Sequence, residues 1–296
     1  MRTHDPLRPI LRQLTNRDRT LLGLLYDHKV LTTEQITTAL FPNRDTAQHR
    51  LVVLYRLGVV DRFRWLREGG GSYSWRYTIS HLGAAHIAAM LGDDPPRRDH
   101  ILNRNRRLAS SPTIEHTLGA NSFFTDLLGH ARTHPGCALR RWWSTDQCRR
   151  PGAFGSPMLQ LSGVHPDGHG IWTEGDRATM FFLEYDTGTE PLGRLVEKVE
   201  RYAGTAWQPV PRLPVLFWLH SAAREHHLHQ RLASMHLPTT VATASRDHAS
   251  AAGATPADAI WTRHGEAAQR VSLTDLGFCY DPVKLAELLN EPCGDS

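Results

Sequence analysis

Asp45-Thr-Ala-Gln-His-Arg-Leu-Val-Val-Leu-Tyr-Arg-Leu-Gly-Val-Val-Asp-Arg-Phe-Arg-Trp-Leu66 changes its hydrophobic period at Gly58. Before the glycine, apolar residues recur at helical spacing, with Leu51, Leu54, Tyr55 and Leu57 directed inward and Gln48, His49, Arg50 and Arg56 outward. After it, apolar and polar residues alternate as in a strand. Gly69-Gly-Gly71 makes a tip, and the second alternating run, Tyr73–Ile79, completes a hairpin.

Working outward, Thr15 caps a first helix to about His28 that buries Leu21, Leu22, Leu24 and Leu25. Thr32 or Thr33 caps a short second helix, Glu34–Leu40, which Pro42 closes. Downstream, Ser80 caps a fourth helix through Met90. Three short helices, a hairpin and a closing helix predict a winged helix-turn-helix. Its third helix enters the major groove and its wing touches backbone phosphate. The candidate DNA contacts are Arg44, Gln48, His49, Arg50 and Arg56 on or beside that helix, and Arg62, Arg64 and Arg67 on the wing. Winged helices also serve as protein–protein modules, and helix arginines are often only solvated.

The charge distribution favours the nucleic-acid reading. Residues 1–112 hold 18 Lys+Arg against 10 Asp+Glu, and residues 113–296 hold 16 against 20, so a +8 part precedes a −4 part. A length of 296 residues with 40% hydrophobic content fits two domains with real cores and excludes a disordered or collagenous chain. The division is read as a winged helix over 1–91, a linker over 92–112 and a second domain over 113–296. No apolar run approaches bilayer length and the start lacks a secretory stretch, so the expected location is the cytoplasm. Cys137, Cys148, Cys279 and Cys293 have neither disulfide-framework nor zinc spacing and are read as reduced thiols.

In the second domain a helix from Thr113 to about Thr133 precedes a strand at Ala138–Ser144, a Gly/Pro-rich loop at Arg150–Pro157 and a turn with a short strand at Val164–Trp172. Strand Thr179–Asp186, helix Leu192–Ala203, strand Val215–Leu219, a helix near Ala222–Met235 and strand Thr239–Thr243 follow. This α-β-β-β-α-β order predicts a mixed sheet flanked by helices, making the whole chain a two-domain α+β protein. After Ser245, Ala249–Pro256 reads as a loop, Ala259–Thr262 and Arg270–Leu273 as short strands, and Pro282–Leu289 as a closing helix.

Asp167, Glu184 and Asp186 are the candidate metal ligands. Residues two apart on a strand share a side, so Glu184 and Asp186 are expected together, with Asp167 approaching from the preceding hairpin arm. Clustered hard oxygen ligands suit Mg²⁺ or Mn²⁺, which can polarise a phosphodiester and activate water. Lys198, on the next helix, is placed to steady developing negative charge. Each residue also has a plain structural role available: Asp186 as a helix cap, Asp167-Gly168 as a hairpin turn, and Lys198 on a solvated face. Tyr185 and Tyr202 are candidate covalent nucleophiles for strand transfer. His227-Leu-His229 spells a relaxase-like His-apolar-His, but in a helical run its rings diverge by about 200°.

The phrases Leu14-Thr-Asn-Arg-Asp-Arg-Thr-Leu-Leu22, Val30-Leu-Thr-Thr-Glu-Gln35, His49–Phe63 and Phe182-Leu-Glu-Tyr-Asp-Thr-Gly-Thr-Glu190 together resemble the replication-relaxation family of actinobacterial plasmids and mobile elements. The resemblance runs from about Leu14 to Val215. It implies a cytoplasmic DNA-binding protein of plasmid replication and DNA relaxation. The second domain is similar to the PD-(D/E)xK nuclease fold, which implies Asp167 as first acid, Glu184 as second, and Glu115 as an acid from the leading helix; His116 or Glu115 is the candidate to support the site from that helix. Asp186 stands where that pattern has lysine, and Lys198 is the relocated cation. The implied activity is Mg²⁺- or Mn²⁺-dependent, relaxase-like nicking. The alternative is a replication initiator or transcriptional regulator with a degenerate, non-cutting second domain. The partner expected is double-stranded DNA resembling a plasmid origin rather than a membrane; a second copy of the chain and replication or transfer proteins are further candidates.

Overall fold

A computed structural model describes residues 12–67, 69–150, 153, 164–204, 213–266 and 269–277. It is a mixed α+β structure with two sheets, and the chain divides into two compact units, Met1–Thr125 and Asp126–Ser296. Among the described residues no helix is long and apolar enough to cross a membrane.

The first unit opens with α1 (Asn16–His28), whose N-terminus is closed reciprocally. Thr15 Oγ1 accepts from the Asp18 N–H, and the Asp18 carboxylate accepts from the Thr15 N–H. Leu21, Leu22 and Leu25 are buried as expected, whereas Leu24 is half-buried. Strand β1 (Leu31–Thr32) was not foreseen; it leads into α2 (Thr33–Leu40), capped by Thr32 with Gln35. Helix α3 (Arg44–Arg56) is capped by Asn43 and buries Ala47, Leu51 and Leu54. Tyr55, expected inside, is exposed, and its ring carries the Arg62 guanidinium, 4.4 Å from the ring centre.

Strands β2 (Val60–Phe63) and β3 (Arg76–Ile79) pair antiparallel, and β1 adds to the other side of β3, giving the order β1-β3-β2. Gly69, Gly70 and Gly71 all take positive φ at the hairpin tip. Helix α4 (His81–Leu91) starts at Ser80, and its Gly83 lies so close to β2 that an added Cβ would sit 2.2 Å from the Val59 carbonyl oxygen. The segment read as a linker holds a helix, α5 (Arg98–Ala109). The start of α6 (Ile114–Thr133) packs Ile114 and Leu118 with Val30. Asn121 donates to the carbonyls of His28 and Val30, and Gln35 donates to that of Leu118.

The second unit is built on a seven-stranded sheet in the order β10-β9-β8-β7-β6-β5-β4. Strands β4 (Cys137–Ser144), β5 (Gly168–Glu174) and β6 (Arg177–Tyr185) form an antiparallel meander. A short helix, α7 (Thr145–Cys148), follows β4. The β5–β6 turn is at Gly175, φ 60°, not at Asp167-Gly168, which starts β5 instead. Helix α8 (Leu192–Gly204) crosses from β6 to the parallel strand β7 (Val215–Leu219), and α9 (Ala222–Leu232) crosses to the parallel strand β8 (Val241–Ser245).

Strands buried on both faces must be apolar throughout, and Ala178–Leu183 and Val215–Leu219 are nearly so. On one face, Ala178, Met180, Phe182, Val215, Phe217 and Leu219 form one core with Leu195 and Val199 of α8 and Leu228 and Leu232 of α9. The stretch read as a loop after Ser245 begins as a helix, α10 (Arg246–Ala251). Strands β9 (Trp261–Arg263) and β10 (Arg270–Val271) complete the sheet, followed by a 3₁₀ turn at Leu273–Leu276. The expected helix Pro282–Leu289, Cys279, Cys293 and most of the Arg150–Pro157 loop lie outside the described residues. Cys137 and Cys148 are free thiols, and burial pushes Cys148 up to about 12.

Candidate functional site

The acidic site forms where β5 begins and β6 ends. Gly168 pairs with Leu183, so one further step of this antiparallel register sets Asp167 across from Glu184. Two backbone hydrogen bonds hold it there: the Asp167 N–H donates to the Leu183 carbonyl at 2.9 Å, and Asp167 Oδ2 accepts from the Tyr185 N–H at 2.8 Å. Glu184 is 3% exposed, an unusual depth for a carboxylate.

Helix α8 supplies its two partners. Tyr202 donates its hydroxyl to Glu184 Oε1 at 2.7 Å, and Lys198 Nζ lies 3.1 Å from Glu184 Oε2 and 3.5 Å from Glu190 Oε2. Residues four apart share a helix face, so burial of Leu195, Val199 and Tyr202 fixes where Lys198 points. Oε2 of Glu184 is buried and makes no well-directed hydrogen bond, so the lysine neutralises it without saturating it. Burial, and then the charge of Asp167, push the Glu184 carboxyl up to about 7, against the opposing pull of Lys198 and Tyr202. Burial works against the Lys198 charge, yet Glu184 and Asp167 hold it above its ordinary range. A cavity of about 120 Å³ opens here, bordered by Val164, His165, Glu184, Lys198 and Tyr202.

Asp186 does not join this pair. Strand β6 stops at Tyr185; the Asp186 N–H donates to the Trp218 carbonyl, and its carboxylate takes the Arg224 guanidinium in two bonds, 2.6 and 2.9 Å. Its charge is thereby committed to α9. Among the described residues no group of three or more His, Cys, Asp or Glu is arranged to hold a metal ion. Glu115 and His116 belong to the first unit, where the Glu115 carboxylate pairs with Arg76 at 2.6 Å. Tyr202 is buried as the hydroxyl donor to Glu184, and the Tyr185 ring lies under Arg246. His227 and His229 lie on α9, as the helical reading of that run expects.

On the first unit, Arg44, Gln48, His49 and Arg56 are exposed. Arg50 is different: Nε and Nη2 grip the buried Asp18 at 2.9 and 2.5 Å, and Nη2 also donates to the Gln13 carbonyl. On the β2–β3 hairpin, Arg62 and Arg64 stack on Trp75 at 4.1 and 4.2 Å, and Arg67 stacks on Tyr73 at 4.8 Å. Trp75, Tyr73, Arg224, Arg246 and Glu190 are supports that the sequence reading missed. Trp75 alone left a usable signal there, since strand alternation puts it on one face with Tyr73.

Curated proteins and solved structures give no match to the chain. The family model described as replication-relaxation matches residues 22–209, more than half of the chain, from within α1 through the Asp167–Glu184–Lys198 cluster. The chain therefore belongs to the replication-relaxation family.

Proposed function

We propose that the chain is a metal-dependent DNA-nicking protein: a winged helix on the first unit grips duplex DNA, and a PD-(D/E)xK-like second unit cuts one strand. Family membership suggests a role in plasmid or mobile-element replication. The observation that carries the catalytic reading is Lys198 Nζ 3.1 Å from Glu184 Oε2, with Asp167 facing the same carboxylate. The element order α6-β4-α7-β5-β6-α8-β7, in which α7 is a single short turn, supports the nuclease-like fold, and the order α1-β1-α2-α3 followed by the β2–β3 hairpin supports the winged helix.

The donor set fits Mg²⁺ or Mn²⁺ as two hard carboxylates, one of them with a buried oxygen that lacks a directed hydrogen bond. Asp167 and Glu184 would hold such an ion, which supplies polarisation of the phosphodiester and an activated water. Tyr202 orients Glu184, the Tyr185 N–H orients Asp167, and Lys198 offsets charge on the phosphate. Water oxygen bonds to phosphorus as one P–O ester bond breaks, leaving a phosphate monoester and a hydroxyl. With Tyr202 buried, hydrolysis is favoured over a covalent route through that residue.

Purified protein with Mn²⁺ or Mg²⁺ should convert supercoiled plasmid carrying the cognate origin to open circle, and Glu184→Ala should abolish conversion. One observation favours the alternative of a non-cutting replication initiator or regulator: Asp186 is committed to Arg224, leaving two carboxylates rather than three. Origin binding without open-circle product would select that reading.

A further inference from the structure

Leu66 is 81% exposed, the most exposed large apolar side chain among the described residues, and it stands at the end of the β2–β3 hairpin. Its isolated bridge to Ser72 is the last strand pairing there. Beyond it the Arg67 N–H donates to the Gly71 carbonyl and the Gly70 N–H to the Arg67 carbonyl, both at 3.2 Å, so the tip is a closed, hydrogen-bonded turn. Gly69, Gly70 and Gly71 all have positive φ, and a Cβ added to any of them would meet nothing within 4 Å. These three residues are bare backbone in open space.

A single exposed leucine is common on protein surfaces, so its neighbours decide its role. Arg64 precedes it by two residues and Arg67 follows it directly; their guanidiniums lie over Trp75 at 4.2 Å and over Tyr73 at 4.8 Å. Among the described residues neither arginine pairs with a carboxylate. Stacking restrains a long side chain without consuming its charge or its in-plane N–H donors. Along the chain, the hairpin end therefore carries one apolar side chain between two restrained cations, within the stretch of residues 1–112 whose net charge is +8.

Contact with backbone phosphate would use the arginines and leave the leucine in water. Duplex DNA takes both at the minor groove, where arginines follow the negative potential and an apolar wedge enters a base step, unstacks it and kinks the helix. Paired strands lie about 4.8 Å apart and the minor groove is about 6 Å wide, so glycines at the tip can enter where larger residues would be held out. We propose that the β2–β3 hairpin inserts Leu66 into the minor groove of duplex DNA and kinks it, with Arg64 and Arg67 held against the same groove. The inference rests on the duplex grip proposed for the first unit and adds a deformation of the DNA to it.

The test uses the full chain without divalent ions, so that no strand is cut, and a duplex of about 24 base pairs with TA steps at its centre, which kink easily. Energy transfer between dyes at the two ends reads bending, 2-aminopurine beside a central step reads unstacking, and anisotropy reads binding separately. The wild-type chain should bend the duplex within the roughly 20–90° range of wedge-inserting proteins and brighten the 2-aminopurine. Leu66→Ala should lose most of both signals while binding within about tenfold of wild type. Leu66→Phe, which keeps an apolar wedge, should retain them. Arg64→Ala together with Arg67→Ala should weaken binding and flatten its salt dependence. Binding to a straight duplex, or a bend that Leu66→Ala leaves unchanged, would overturn the wedge and leave the duplex grip standing. A wild-type chain that binds no duplex would remove the grip itself, and the wedge with it.

Discussion

Lys198 Nζ and Glu184 Oε2 are 3.1 Å apart although the two residues come from different elements, a helix and the end of a strand. Tyr202, one helical turn beyond the lysine, meets the other oxygen of the same carboxylate. The cation beside Glu184 is thus set by the packing of α8, while the position two residues after Glu184 on the chain is taken up by the Arg224 pair. That separation lets the roles of the two positions be tested independently.

Lys198→Met should reduce open-circle formation about 100-fold or more, the scale seen when a charge-stabilising donor is removed from a reacting centre. Lys198→Arg should recover part of the rate, because charge is retained while reach and geometry differ. Initial rates on supercoiled plasmid check both. A wild-type rate in Lys198→Met would remove the lysine from the chemistry.

Glu184 gives the site a pH dependence whose sign follows from its raised carboxyl. A group pushed up from 4.5 to about 7 contributes stability that is complete below the unfolded value and lost as pH rises through 7. Glu184→Gln, a neutral mimic, should therefore melt like wild type at pH 5 and higher than wild type at pH 8, by roughly 2–3 kcal/mol in unfolding free energy. A divalent ion competes with that proton, so Mn²⁺ should bind more tightly as pH rises from 5.5 to 7.5 and level off above. Calorimetric titration across this range reads the trend, and a flat profile would show that Glu184 is not a ligand.

The arginines of α3 separate into two kinds. Arg50 neutralises Asp18, a carboxylate 1% exposed beneath the α1 cap. Hydrogen bonds to Arg50 and Thr15 outweigh burial there and hold Asp18 below its ordinary range. Arg50→Ala should cost about 3–5 kcal/mol, the penalty for leaving a buried charge unpaired. Arg56 is exposed, so Arg56→Ala should leave denaturant midpoints unchanged and, on duplex DNA, lower the salt slope by about one contact. Chemical denaturation and binding at several salt concentrations distinguish the two. Equal effects of both substitutions on stability would contradict the assignment.

The fold was most legible where local chemistry acts alone. Thr15, Thr32 and Ser80 mark helix starts by capping, and the change of period at Gly58 marks the passage from helix to strand. Glu184 and Lys198 could be nominated because one ends a buried strand and the other borders the apolar stripe of the next helix. Asp186 could not be placed, since period-two alternation ceases to hold where β6 stops at Tyr185, and its partner Arg224 lies 38 residues away. The partner of Arg50 was unreadable for the same reason: helical spacing shows that it faces out from α3, but not that Asp18 of α1 waits there.

Asp186→Lys tests the relocation directly, because it restores lysine two residues after Glu184. The Asp186 carboxylate accepts two bonds from Arg224 and one from the His220 N–H, and Arg224 also donates to the Glu190 carbonyl. Glu190 in turn lies beside Lys198, so this guanidinium holds the loop between Glu184 and the helix that carries the lysine. A lysine at 186 would face Arg224 with like charge in a buried setting. We expect loss of about 3–5 kcal/mol of stability and slower nicking, rather than a gain. Asp186→Asn, which preserves shape and some hydrogen bonding, should lose less of both. If Asp186→Lys melted like wild type and cut faster, the cation would belong on the strand, and the contact of Lys198 with Glu184 would be structural only.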